Sequence, residues 1–168
     1  MPITVNWSDL EIAFERNSPD QESFLDLENG DLLSESGAIL YYFAEGAELW
    51  PTGSRSQAEV LRWMFFEQYS HEPFIATSRF WLQHKPESRE KTALLASKRD
   101  GGWAALKIME GHLANNDFFV GDYSIADIAL FAYTHVAGEG GFALDDFPKI
   151  RGWIARVKSL PKYSPMSS

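Results

Sequence analysis

The sequence predicts a mainly α-helical protein, in which an all-helical domain follows a partial α/β portion made of a β-hairpin and one helix. Asn29-Gly30 is a favoured hairpin turn between the strand candidates Ser23–Leu27 and Leu32-Leu33. Apolar residues then recur at helical spacing, and from about Ser56 onward the pattern is helical throughout. A hydrophobic content of 45% over 168 residues is ample for a packed core.

Composition excludes several classes of function. The net charge of −9 argues against nucleic acid or an anionic membrane as a partner. The absence of cysteine rules out disulfides, thiolate metal sites and a cysteine nucleophile. No run of roughly 20 apolar residues suits a membrane span, and no secretory signal pattern is recognisable. We therefore expect a cytoplasmic protein that does not enter a membrane.

Charge is unevenly distributed along the chain. Residues 1–50 hold eleven acidic side chains and a single basic one, Arg16. Residues 51–168 are nearly neutral, with thirteen acidic and fourteen basic side chains. We interpret the acidic segment as a solvated surface, with a docking face for a basic partner as the alternative.

We assign residues 1–49 to the partial α/β portion. Ile3–Val5 is a candidate edge strand, and Asp9–Arg16 has a weakly helical pattern. After the hairpin, one helix should cover a face of it with a stripe formed by Ala38, Ile39, Tyr42 and Phe43. The segment Trp50–Arg55 breaks the pattern and is interpreted as a linker.

Residues 56–168 are predicted to form the all-helical domain. A first helix runs from Ser56 to about Trp81 and should bend at Pro73, because proline removes a backbone donor. Its apolar stripe contains Val60, Met64, Phe65 and Ile75. A second helix starts at Pro86-Glu87-Ser88, and Gly101-Gly102 should weaken its middle.

The start of a later helix has the clearest local signal in the chain. Ser124 and Asp127 stand three residues apart, as in a capping box with Asp in place of the usual Glu. The helix behind them is apolar nearly all round, which predicts a position in the core. Phe147-Pro148 opens a last helix with proline at its first position, and Pro161 ends it.

Three separated segments together resemble bacterial glutathione transferases. They are Asp26–Gly46, Leu61–Pro73, and the stretch from Tyr123-Ser124-Ile125-Ala126-Asp127-Ile128 through Tyr133-Thr134-His135 to Phe147–Pro161. They occur in the family's order and span nearly all of residues 24–161. The resemblance implies a thioredoxin-like, glutathione-binding portion at 1–49, an all-helical glutathione-transferase domain at 56–168, and a homodimer.

The resemblance also implies a glutathione site at Glu35 and Ser36. Ser36 opens a helix, where free amides and the helix dipole favour the γ-glutamyl carboxylate, and Glu35 would face the ligand's ammonium group. The alternative is that Ser34 or Ser36 merely caps the helix and that Glu35 merely complements its dipole. Glutathione would act as a co-substrate, with no metal.

The chain departs from the family pattern before this pair. Only 34 residues precede Glu35, so the thioredoxin-like portion is expected to be truncated, without the segment that supplies the family's activating Ser, Tyr or Cys. The catalytic residue is therefore left unassigned. Glu22 and Ser23 align with the pair that clamps the cysteinyl part of glutathione, but Ser23 replaces the family's cis-proline and is expected to be trans.

Other candidate constellations are weaker. Phe66 and Tyr69 are candidates for an apolar electrophile pocket, with ordinary core packing as the alternative. His71 and Glu72 are interpreted as a surface pair, and no histidine spacing indicates a metal site. The glycine-rich segment at 138–141 is interpreted as a flexible connection.

The predicted function is transfer of the glutathione thiolate to small apolar electrophiles, with activity that we expect to be weak or lost in this chain. A non-catalytic binding or assembly module with the same fold is the alternative. Glutathione-dependent activity distinguishes the two.

Overall fold

The structure is a computed structural model that describes residues 24–26, 32–161 and 163, with the backbone alone described for 24–26. Its two strands are β1 (Phe24–Asp26) and β2 (Leu32–Ser34). The helices are α1 (Ser36–Ala44), α2 (Ser54–Phe66), α3 (Glu72–His84), α4 (Arg89–Leu113), α5 (Ile125–Thr134) and α6 (Pro148–Lys158). A π-helical turn (Glu67–His71) joins α2 to α3, and a 3₁₀ turn (Ala137–Gly140) follows α5. Within this described part, no helix is both long and apolar enough to cross a membrane.

The two strands form the predicted antiparallel hairpin, but in a different register. Asp26 pairs with Leu32, whereas a two-residue turn at Asn29-Gly30 would pair Asp26 with Leu33. The register therefore differs by one residue from the one that a two-residue turn would give. The turn itself lies outside the described residues, as do the candidate elements Ile3–Val5 and Asp9–Arg16.

Helix α1 buries a different stripe from the predicted one. Ile39, Leu40 and Ala44 are buried, whereas Ala38 is exposed and Tyr42 is 43% exposed. The helix packs against α5 as well as against β2. Because α1 contacts both α5 and β2, its buried face differs from the one that packing on the hairpin alone would predict.

The chain at the start of the predicted linker contacts both α1 and α5. Trp50 is half-buried and packs edge-to-face on Tyr41, with ring centroids 4.9 Å apart. The amide of Ile125 donates a hydrogen bond to the carbonyl of Leu49 at 3.3 Å. The segment after α1 therefore touches the start of α5.

A π-helical turn interrupts the predicted first long helix. Glu67–His71 separates α2 from α3, and Pro73 occupies the second position of α3, where its missing N–H costs little. Phe65 is 62% exposed, contrary to the predicted stripe, and Trp63 is buried instead.

Helix α4 runs unbroken for 25 residues through Gly101-Gly102. A Cβ atom at Gly101 would lie 2.2 Å from the ring of Phe74, and one at Gly102 would lie 2.3 Å from the ring of Phe142. The predicted weak point is thus a place of close packing, because the missing side chains admit two aromatic rings.

The glycine-rich segment after α5 is held in place by side-chain contacts. Glu139, in the 3₁₀ turn, accepts hydrogen bonds from Arg79 at 2.6 Å and Gln83 at 2.8 Å, both on α3. A Cβ atom at Gly140 would lie 3.0 Å from the carbonyl oxygen of Ile75. The interpretation of this segment as a flexible connection is wrong, because it packs closely on α3.

Substitution of the two α4 glycines Gly102 and Gly111 should have opposite effects. Gly102→Ala should lower the free energy of unfolding by about 1–3 kcal/mol, since the new methyl group overlaps Phe142. Gly111→Ala is the matched control: nothing lies within 4 Å of its Cβ position. It should stabilise the helix by up to about 1 kcal/mol. Urea unfolding measures both; equal effects would contradict the packing argument.

Candidate functional site

The start of α1 has an unusual backbone conformation. Glu35, the residue before the helix, has φ 69° and ψ 119°. Among the residues that the structure describes, it is the only non-glycine residue with positive φ. Such a conformation costs of order 1–3 kcal/mol and is found preferentially at functional sites. The strain identifies the Glu35-Ser36 junction as the leading candidate site.

The amides at this helix start lack a side-chain cap. Among the residues that the structure describes, no side chain caps the first turn of α1, and no acidic residue lies in that turn. Two other helix starts are capped by side chains: Ser88 accepts from the amide of Lys91 at 3.1 Å at the start of α4, and Glu110 accepts the amides of Lys149 and Ile150 at the start of α6. The start of α2, after Gly53, lacks a side-chain cap as the start of α1 does. The amides of α1 and the half-buried Ser36 are therefore suited to an external carboxylate.

Charge interactions link Glu72, at the start of α3, to Glu35, just before α1, and to Glu67, in the π-turn. Burial and then the charge of Glu35 raise the pKa of Glu72. Burial raises the pKa of Glu67 to about 7, and the hydrogen bond from Gln68 opposes this only in part. Burial, followed by Glu72 and Glu67, raises the pKa of Tyr133 to about 12. The charge pattern favours a cation here. Sequence reasoning missed Glu67, and it interpreted Glu72 as part of a surface pair rather than as part of this site.

His71 is buried, so its interpretation as part of a surface pair with Glu72 is wrong. Its Nε2 lies 2.8 Å from Oγ1 of Thr134, which itself donates to the carbonyl of Leu130 at 2.6 Å. The hydroxyl must accept from His71, so the proton resides on Nε2. Burial lowers the pKa of His71 to about 3, which keeps the ring neutral. The histidine thus joins the π-turn to α5.

The remaining predicted site residues differ in their exposure. Phe66 is half-buried and packs edge-to-face on Trp63, with ring centroids 5.2 Å apart. Tyr69 is 82% exposed. Glu22 and Ser23 lie outside the described residues. The roles of these four residues in ligand binding remain predictions.

No metal centre is found in the described ranges, where His, Asp and Glu form no group of three or more suited to an ion.

These features have counterparts in a known family. Residues 63–161, more than half of the chain, match the family model described as "Glutathione S-transferase, C-terminal domain". The chain belongs to the glutathione S-transferase family. The resemblance inferred from the sequence is confirmed, as is the fold class of an all-helical domain after a hairpin and a helix.

Solved structures extend the likeness beyond the helical domain. A glutathione S-transferase from Pseudomonas fluorescens Pf-5 is 43% identical, with a TM-score of 0.85, and the match covers 94% of this chain and 79% of that one. A glutathione transferase from Burkholderia graminis, solved with two glutathione molecules bound per subunit, is 27% identical, with a TM-score of 0.69. That match covers 82% of this chain and 61% of the other.

A curated relative is the disulfide-bond oxidoreductase YfcG of Escherichia coli K12. It is 26% identical over 131 residues, which are 77% of this chain and 60% of YfcG. The chain spans about three fifths of the length of the curated relatives that it matches.

The buried Glu67 carboxyl should make stability depend on pH. Its pKa rises from 4.5 to about 7 on folding, so the folded state favours the protonated form. The free energy of unfolding should fall by about 2–3 kcal/mol as pH rises from 4.5 to 7. Glu67→Gln should remove this contribution to the pH dependence of the free energy of unfolding. Urea unfolding at several pH values measures it.

Glu90→Gln, at an exposed carboxyl on α4, is the matched control and should leave the fall in place. If Glu67→Gln kept the wild-type pH dependence, the assignment to Glu67 would be wrong.

Proposed function

We propose that the protein binds glutathione at the start of α1. The observation that carries this proposal is the uncapped helix start beneath the strained Glu35, with the Ser36 hydroxyl beside it. The glutathione-bound relative from Burkholderia graminis supports the choice of ligand.

The chemistry of the residues fits the γ-glutamyl end of glutathione, which has a carboxylate and an ammonium group on one carbon. The amides of α1 and the Ser36 hydroxyl suit the carboxylate, because the helix dipole adds to their hydrogen bonds. Glu35 suits the ammonium group, as in the sequence prediction, and Glu72 adds a second carboxyl group near it. Glu22 and Ser23 are proposed to meet the cysteinyl part.

The reaction that we propose is transfer of glutathione to small apolar electrophiles. The glutathione thiol loses its proton to water, and the thiolate sulfur then attacks the electrophilic carbon. As the carbon–sulfur bond forms, the bond from that carbon to a leaving group breaks and the leaving group departs with the electron pair; at an activated alkene the carbon–carbon π bond breaks instead, and the neighbouring carbon takes up a proton from water. Phe66 and Tyr69 are the proposed contacts for the electrophile. We assign no residue to the ionisation of the thiol, and we expect the activity to be weak or lost.

The proposed site lies where two proposed domains meet. We divide the chain into a glutathione-binding portion at 1–49 and an all-helical domain at 56–168. Next to Ser36, a Cβ atom at Gly37 would lie 3.4 Å from the terminal methyl group of Met64 on α2. Since the two portions touch beside Ser36, we propose that the ligand contacts both of them.

We also propose that the protein acts in the cytoplasm.

We further propose a homodimer, supported by an apolar stripe on α2. Leu61 and Phe65 lie one helical turn apart, and they are 38% and 62% exposed. Large exposed apolar side chains in a row are typical of an interface between chains. The same stripe favours the second candidate function, a non-catalytic assembly module.

Glutathione binding should depend on Ser36. In a calorimetric titration, wild-type protein should bind glutathione in the micromolar to low millimolar range. Ser36→Ala should weaken binding about tenfold, the effect of one hydrogen bond to a charged group. Ser34→Ala, two residues earlier at the end of β2, is the matched control and should bind normally.

Loss of glutathione-dependent activity in Glu35→Ala and Ser36→Ala would support the transferase over the assembly module. A folded wild-type protein that gives no heat with glutathione would contradict the proposed site.

The apolar stripe should control association. Phe65→Glu puts a charge into the proposed interface, and light scattering coupled to size-exclusion chromatography should show a shift from dimer to monomer. Ile108→Glu is the control, since Ile108 is 53% exposed on α4, outside the stripe. Wild-type protein that is monomeric at every concentration would refute the dimer.

A further inference from the structure

A concave region lies apart from the site at α1. It is an open groove of about 830 Å³ between α4 and the segment that leads into α6. Its lining includes Asp100, Trp103, Ala104, Lys107, Asp146 and Phe147. None of these residues belongs to the proposed glutathione site, and the volume suits a small organic ligand.

The floor of the groove is aromatic. The Trp103 and Phe147 rings are nearly parallel, with an interplanar angle of 7° and centroids 5.9 Å apart. Phe142 meets Trp103 edge-on at 5.1 Å, and Gly102 gives Phe142 the room to lie there. An aromatic floor attracts both apolar groups and cations.

The rim carries more negative than positive charge. Asp100 and Asp146 are exposed, and neither forms an ion pair with another described residue. Glu110 is engaged elsewhere, because its two oxygens accept the amides of Lys149 and Ile150 at the start of α6. Lys107 is the single cation in the lining. Two free carboxylates beside an aromatic floor complement a ligand that is both apolar and cationic.

We propose that this groove binds apolar organic cations, such as aromatic quaternary ammonium compounds. The cation lies near Asp100 and Asp146, and its apolar body covers Trp103. Lys107 stands one helical turn beyond Trp103 and repels the ligand, which limits the affinity. The groove is independent of glutathione, so the proposal does not require the proposed enzymatic function.

The test is a titration of the full chain with benzyltrimethylammonium. NMR monitors binding by the shift of the indole N–H signal of Trp103. Trp103→Phe assigns that signal among the six tryptophans. Asp100→Asn and Asp146→Asn should each weaken binding about two- to fivefold, as for exposed charge pairs. Lys107→Met should strengthen it. Asp145→Asn removes a neighbouring exposed carboxylate that does not line the groove, and it should have no effect.

Comparator ligands separate charge from apolar contact. Benzyl alcohol, which is neutral, and benzenesulfonate, which is an anion, should bind more weakly than the cation. Equal or tighter binding of benzenesulfonate would overturn the proposal. It would also be overturned by unchanged affinity in both aspartate variants with their thermal unfolding intact, or by a Trp103 signal that does not move.

Discussion

The rest of the structure depends on the buried carboxylate of Asp127, which links separate parts of the helical domain. One oxygen accepts the amide of Phe119 at 3.2 Å and the indole N–H of Trp153 at 2.9 Å; the other accepts the amide of Ser124 at 3.1 Å. Three segments therefore meet at one side chain: the chain before α5, α5 itself and α6. Burial raises the pKa of Asp127 to about 6, although its hydrogen bonds oppose the rise.

A second polar contact determines where the candidate site lies. His71 donates to Thr134 at the far end of α5, so the end of the π-turn is tied to the same helix that Asp127 caps. The turn includes Glu67, and Glu72 follows at once as the first residue of α3. Helix α1 packs on α5 as well. Because α5 contacts both α1 and the π-turn, it fixes the position of the start of α1 relative to Glu67 and Glu72.

Local features could be predicted from the sequence, and features that depend on distant contacts could not. The capping box at Ser124 and Asp127 is present as predicted, because its partners are three residues apart. The burial of His71 depends on Thr134, which lies 63 residues away. Gly102 was misjudged for the same reason, since helix propensity does not reveal Phe142. In the candidate site, resemblance indicated Glu35 and Ser36, but the positive φ of Glu35 and its proximity to Glu72 appear only in the fold.

On the proposed function, the charges of the site select a ligand that carries both signs. A lone carboxylate gains about 0.3–1 kcal/mol from the helix dipole, but it is repelled by Glu35 and Glu72. A lone ammonium group gains from those carboxyl groups and is repelled by the helix start. An amino-acid end satisfies both at once, because its two charges are one carbon apart. An acidic first segment with a single basic residue, Arg16, is therefore compatible with an anionic ligand such as glutathione. Recognition then depends on the γ-glutamyl end rather than on net charge.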